Sequence, residues 1–111
     1  MGFSNVDTVQ AHYPSNDFVE SIGQQIRTLR IQMKEDQDFV AEYCHGTELI
    51  TVVNIGSAGR DTVRLNGLDQ HEQACRIFAH IASVAIVFRV FTKEPNSPRR
   101  QYGFTVDSNA D

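Results

Sequence analysis

Apolar side chains recur along the first third of the chain with the period of a helix. Phe18, Ile22, Ile26, Leu29 and Met33 follow one another at spacings of four, four, three and four, so they share one helical face. Glu20, Gln24, Arg27 and Lys34 fall on the opposite, wet face. Pro14 marks the boundary ahead of this helix, and Asn16 or Asp17 supplies a cap, with Glu20 three residues beyond Asp17 as in a capping box. The acidic run Glu35-Asp36-Gln37-Asp38 predicts that the helix stops near Asp36.

Beyond that break the period changes to two. Phe39, Ala41 and Tyr43 alternate with Val40, Glu42 and Cys44, and His45-Gly46 offers a turn. The β-branched stretch 47–55 reads as the returning strand of a hairpin. Gly56-Ser57-Ala58-Gly59 reads as a loop, Asp61 to Asn66 as a third strand, and Gly67 as the opening of a turn through Asp69-Gln70-His71. Residues 73–92 fit two templates. Ala74, Ile77, Phe78, Ile81, Val84 and Phe88 suit a helix that Asp69 and Glu72 would cap. The density of Val, Ile and Phe in 83–92 favours instead two strands, 73–79 and 83–92, kinked at His80. A short last strand is expected within 101–106. The expected fold class is therefore α+β: one long N-terminal amphipathic helix packed on an antiparallel sheet of about five to six strands. Residues 1–14 form an arm, 15–106 the single domain, and 107–111 a tail.

The strand 83–92 carries a further implication. Val84, Ile86, Phe88 and Val90 lie on one face, and Ala85, Val87 and Phe91 on the other. Two apolar faces imply two buried faces. One helix covers one side of such a sheet, so a second copy of the chain is the expected cover and a homo-oligomer the expected state. Arg89, inside this run, then needs a carboxylate or ligand partner.

Composition narrows the functional classes. The 111 residues suit one domain, and 41% hydrophobic with 22% charged is ordinary for a globular protein. A net charge of −4 offers no broad basic surface for duplex nucleic acid. Eight of the ten basic residues are arginines, whose planar fork of donors suits phosphate and carboxylate. Cys44 and Cys75 lack metal-ligand spacing and would pair only if their strands were neighbours, so two free thiols are expected. The longest apolar run, Val84 to Phe88, is too short to span a membrane, and the expected location is the cytoplasm.

From the helix through Phe104 the chain resembles an uncharacterised domain family of bacteria and their phages. The positions that carry the likeness are Ile55-Gly56, Val63 to Gly67, Asp69-Gln70-His71-Glu72, Ile77-Phe78-Ala79-His80, Val84 to Val90, and the terminal Pro98-Arg99-Arg100-Gln101-Tyr102-Gly103-Phe104. The chain departs from the family's pattern in two places. Ser57-Ala58-Gly59-Arg60 replaces its aromatic and proline residues, and Ser83 replaces its glutamine. The helix-then-sheet layout also resembles phage anti-defence sponge proteins, which oligomerise and sequester cyclic nucleotide signals. The resemblance implies a bacterial host cell and a nucleotide ligand, by analogy of architecture.

Residues suited to chemistry are few. Cys44 and His45 are adjacent in a strand and so point to opposite faces, which leaves no nucleophile beside a base. The glycine loop lacks a Walker lysine and reads as a turn, or as backbone amides approaching an anion with Arg60 alongside. His12, His45 and His71 have no metal spacing, and neither a metal nor a cofactor is expected. His80 reads as a hydrogen-bonded core histidine or as a ligand contact. Arg99 and Arg100 could grip phosphate while Tyr102 or Phe104 stacks on a base, with Arg60, Arg64 and Asn66 completing a pocket at a subunit boundary. Together these features describe a non-catalytic, oligomeric binding protein for a small anionic ligand, of cyclic or ADP-ribose nucleotide type. The alternative is a structural or protein-interaction module that docks a partner through its sheet face.

Overall fold

The structure, a computed structural model, describes residues 13–95 and 103–107. It is an α+β fold in which one helix, α1 (Pro14–Gln32), packs on an antiparallel sheet. The strands are β1 (Gln37–His45), β2 (Glu48–Ser57), β3 (Thr62–Leu68), β4 (Ala74–His80), β5 (Ile86–Thr92) and the two-residue β6 (Thr105–Val106). The sheet order is β4-β3-β2-β1-β5, and β6 runs parallel to β2, pairing at Asn54 and Ile55.

Tyr13 caps α1 from extended backbone, and Pro14 takes the first helical position, where a missing N–H costs nothing. Neither Asn16 nor Asp17 caps the helix, as the sequence suggested. Both already lie within its first turn, donating their N–H groups to the Tyr13 carbonyl. The helix also ends earlier than the acidic run implied, at Gln32 rather than near Asp36. Tertiary structure claims those residues: Asp36 accepts from the Lys93 N–H at 2.7 Å, and Gln37 already pairs with Thr92. The Gln37 side chain accepts from the Lys34 N–H and closes the turn between helix and sheet.

The buried stripe of α1 centres on Val19, Gly23 and Ile26, flanked by the half-buried Phe18, Ile22, Leu29 and Met33. Beneath it the helix-side face of the sheet contributes Phe39, Ala41, Tyr43, Ile50, Val52, Ile55, Val63 and Leu65. Each fully buried branched side chain stabilises the fold by roughly 1.5–3 kcal/mol relative to exposure. Phe39, Phe88 and Phe104 join this core as an aromatic trio with ring centroids 5.8–6.5 Å apart. The Arg30 guanidinium lies over the Phe39 ring at 5.6 Å.

β1 to β4 form a meander. The first turn places Gly46 at φ 63°, in the left-handed region that favours glycine. Gly67 does not open a turn. It is buried inside β3, where a Cβ would meet the Thr51 carbonyl oxygen at 2.3 Å, so glycine here permits close strand approach. The turn follows at Asp69, whose carboxylate accepts from the N–H groups of His71 and Gln73 at 2.8 and 2.9 Å. Those bonds lead the chain into β4 rather than into a helix.

The two strands read in 73–92 exist but are not neighbours. A single 3-10 turn, Ile81–Ser83, follows β4 and packs against α1, with the Ile81 N–H bonded to the Asp61 carbonyl. The chain then enters β5 at the far edge of the sheet, beside β1. Nor are both faces of β5 buried. On the helix side Ile86 and Phe88 are half-buried while Val90 is still 43% exposed, and on the other face Val87 is 48% exposed. An edge strand has only one neighbour to share its burial, and across the rest of the sheet the second face mixes the polar Glu42, Thr51, Asn54, Arg64, Asn66 and Arg76 with the apolar Val40, Leu49, Leu68 and Phe78. An antiparallel sheet tolerates one such solvated face. Arg89 finds its carboxylate within the chain, in an ion pair with Glu42. Cys44 and Cys75 are free thiols on strands separated by β2 and β3.

Candidate functional site

The face of the sheet turned away from α1 has no element packed on it among the described residues. Register alone brings its side chains together. Asn54 faces Asn66, Gly56 faces Arg64, Asn66 faces Arg76, and Arg64 faces Phe78. Residues directly opposite on adjacent strands share a face, so these form one contiguous patch.

Hydrogen bonds tie the patch into a ladder. The Asn54 Oδ1 accepts from the Arg64 guanidinium at 2.9 Å and from the Asn66 Nδ2 at 3.1 Å. The Asn66 Oδ1 accepts in turn from the Arg76 Nε at 3.0 Å. Asn54 Nδ2 donates to the Thr105 hydroxyl at 2.8 Å and to Asp107 at 3.0 Å, so the ladder also anchors β6. Asp107 closes it through an ion pair with Arg64. Hydrogen bonds from Asn54 and Arg64 hold the Asp107 carboxyl below its usual range.

Gly56 makes this crossing possible. Its position lies under the Arg64 side chain, where a Cβ would stand 2.5 Å from a guanidinium nitrogen. Arg64 thus reaches across β2 to the carboxylate on the far side. Its guanidinium is largely committed to that pair, with its side chain only 22% exposed. Arg76 is exposed, and among the described residues the bond to Asn66 engages one of its donors. Beside it Phe78 is 60% exposed, a large ring with no cover.

The structure brings some of the residues indicated by the sequence together and separates others. Arg64 and Asn66 meet in the ladder. His80 lies opposite Thr62 at the end of the same strand pair, and its Nδ1 accepts from the Ala82 N–H at 3.0 Å. Phe104 is 8% exposed inside the aromatic trio, so its ring serves the core and is not available to stack on a base. Arg60 stands apart on the loop between β2 and β3, 4.0 Å from Asp61. Arg99, Arg100 and Tyr102 lie outside the described residues.

The glycine loop beside Arg60 docks the helix. The Ser15 N–H donates to the Arg60 carbonyl at 3.0 Å, and the buried Ser15 hydroxyl donates to the Gly59 carbonyl. Ser57 and Ser15 share a hydroxyl contact of 2.5 Å, so this loop seats the start of α1.

Asn54, Arg76, Phe78 and Asp107 were not singled out. Arg76 and Phe78 carry a legible signal: in β4 they have the parity opposite to Cys75, Ile77 and Ala79, the half-buried set. For Asn54 the signal is hidden by a bulge at Val53, which shifts the alternation in β2. The Cys75 thiol is pushed up by burial and by the nearby Asp69 and Glu48, which makes it a poor nucleophile. Compared with known proteins, the chain matches no family model, no curated protein and no solved structure.

Proposed function

We propose that the chain is a non-catalytic binding protein whose open β3–β4 face captures a small anionic ligand of nucleotide type. One observation carries this reading: an exposed aromatic ring, Phe78, beside an exposed arginine, Arg76, whose orientation is fixed by Asn66. A guanidinium held by its Nε keeps its outer donors for a phosphate, and an uncovered ring offers a stacking platform for a base. Asn66 and Asn54 add amide groups of the kind that read polar edges. The layout resemblance described above adds cyclic or ADP-ribose nucleotides as the class to try first.

Calorimetry of the full chain against such a panel tests the reading. Binding is expected for at least one nucleotide, with Arg76→Ala weakening it at least tenfold and leaving the melting temperature unchanged. Heat from none of the panel would remove the proposal. A second reading, docking of a partner protein, draws on Val87 and Phe78, apolar groups at opposite ends of the uncovered face. It expects no nucleotide heat and a partner whose capture is lost with Phe78→Ala.

A further inference from the structure

We propose that the free edge of β4 pairs antiparallel with β4 of a second copy of the chain, in the register centred on Ile77. β4 pairs with β3 at seven successive positions, from Thr62 opposite His80 to Leu68 opposite Ala74, with no bulge. Its other side has no strand among the described residues. Natural edge strands are blunted by proline, charged side chains or bulges; Ala74–His80 has no proline, lysine or bulge, and its one arginine, Arg76, is bonded to Asn66 of β3. Its backbone groups are a straight template for another strand.

The side chains select the partner and the register. In a twofold pairing centred on Ile77, that residue faces its own copy, Cys75 faces Ala79, and Arg76 faces the second copy's Phe78. On the helix side this joins three half-buried apolar residues from each chain. On the open side it sets two guanidinium groups against two exposed rings, an attraction of cation and π face repeated about the dyad. The neighbouring registers are worse. Centring on Arg76 sets that arginine against itself, and centring on Phe78 sets Arg76 against His80.

The other free edge, β5, is a weaker candidate. Arg89 is already held by Glu42, Phe91 is already engaged within the chain, and pairing centred on Arg89 opposes like charges. The β4 pairing engages Arg76 and Phe78, the same groups proposed to meet the ligand, but its test reads mass without nucleotide, so either proposal can fail alone.

Light scattering on the eluting full chain tests it. A chain of 12.5 kDa is expected at twice that mass at micromolar concentration. Phe78→Arg places an arginine opposite Arg76 and should return the monomer mass with an unchanged circular dichroism spectrum, because Phe78 lies at the surface. The double variant R76E/F78R sets opposite charges across the dyad and should restore the dimer. A monomeric parent chain up to hundreds of micromolar, or an oligomer unaffected by Phe78→Arg, overturns the proposal. A double variant that stays monomeric overturns the Ile77-centred register.

Discussion

Replacing Gly56 by alanine isolates what the crossing of Arg64 over β2 contributes. The new methyl would stand 2.5 Å from a guanidinium nitrogen and 3.1 Å from its central carbon. Those atoms end a flexible side chain, so Arg64 swings away and the backbone keeps its register. What is lost is the 2.9 Å bond to Asn54 and the ion pair with Asp107. A hydrogen bond from a charged group stabilises by about 1.5–3 kcal/mol, and the low end suits this partly exposed site. Asp107 is half exposed, so solvent screening limits its share to below about 1 kcal/mol. Against these stands a gain of about 0.4–1 kcal/mol, because alanine restricts the unfolded chain more than glycine does. The net loss is about 1.5 kcal/mol, which for a domain of this size lowers Tm by about 6 °C.

The same substitution carries a pH signature. Asp107 has a depressed carboxyl in the folded state, so its contribution is complete above 3.8, the unfolded value, and disappears as pH falls through the lower folded value. The gap in Tm between parent and Gly56→Ala should therefore be widest near neutrality and should narrow below pH 3.8. Asp69, also depressed, titrates alike in both proteins and cancels from the difference. Differential scanning calorimetry from pH 7 to 2.5 reads this directly. Equal melting temperatures at neutrality, or a gap that persists unchanged into acid, would refute the role assigned to the Arg64–Asp107 pair.

Two other glycines should respond in opposite directions. Gly23→Ala is expected to stabilise by up to about 1 kcal/mol in urea titration, because its methyl would meet Val106 at an ordinary 3.8 Å while helix propensity improves. Gly67→Ala is expected to destabilise by about 2–3 kcal/mol with an unchanged m-value, since its methyl would overlap the Thr51 carbonyl at 2.3 Å.

The helix and the hairpins were legible in the sequence because their signals are local. The spacing from Phe18 to Met33 needs only a helical period, and the alternation of Phe39, Ala41 and Tyr43 needs only a pleat. Strand order was not legible. Nothing within 81–85 says that the chain must cross from β4 at one edge to β5 at the other, since pairing partners distant in sequence leave no local trace. The two-faced reading of β5 failed for the same reason: its burial depends on lying at an edge. Gly67 gives the same signal as a turn glycine, yet it is spent on a close approach to Thr51. In the site, Arg64 and Asn66 were visible as polar residues in a strand. Arg76 and Phe78 gained meaning only when the register set them beside that pair.

The uncovered β3–β4 face is the proposed seat of the ligand. Chemical-shift mapping on the nitrogen-15-labelled chain, titrated with the nucleotide that gives calorimetric heat, tests it most directly. Saturable shifts should centre on the amides of Asn66, Arg76 and Phe78 and fade toward β5. Shifts confined to α1 or to β5, with those three amides unmoved, would contradict it.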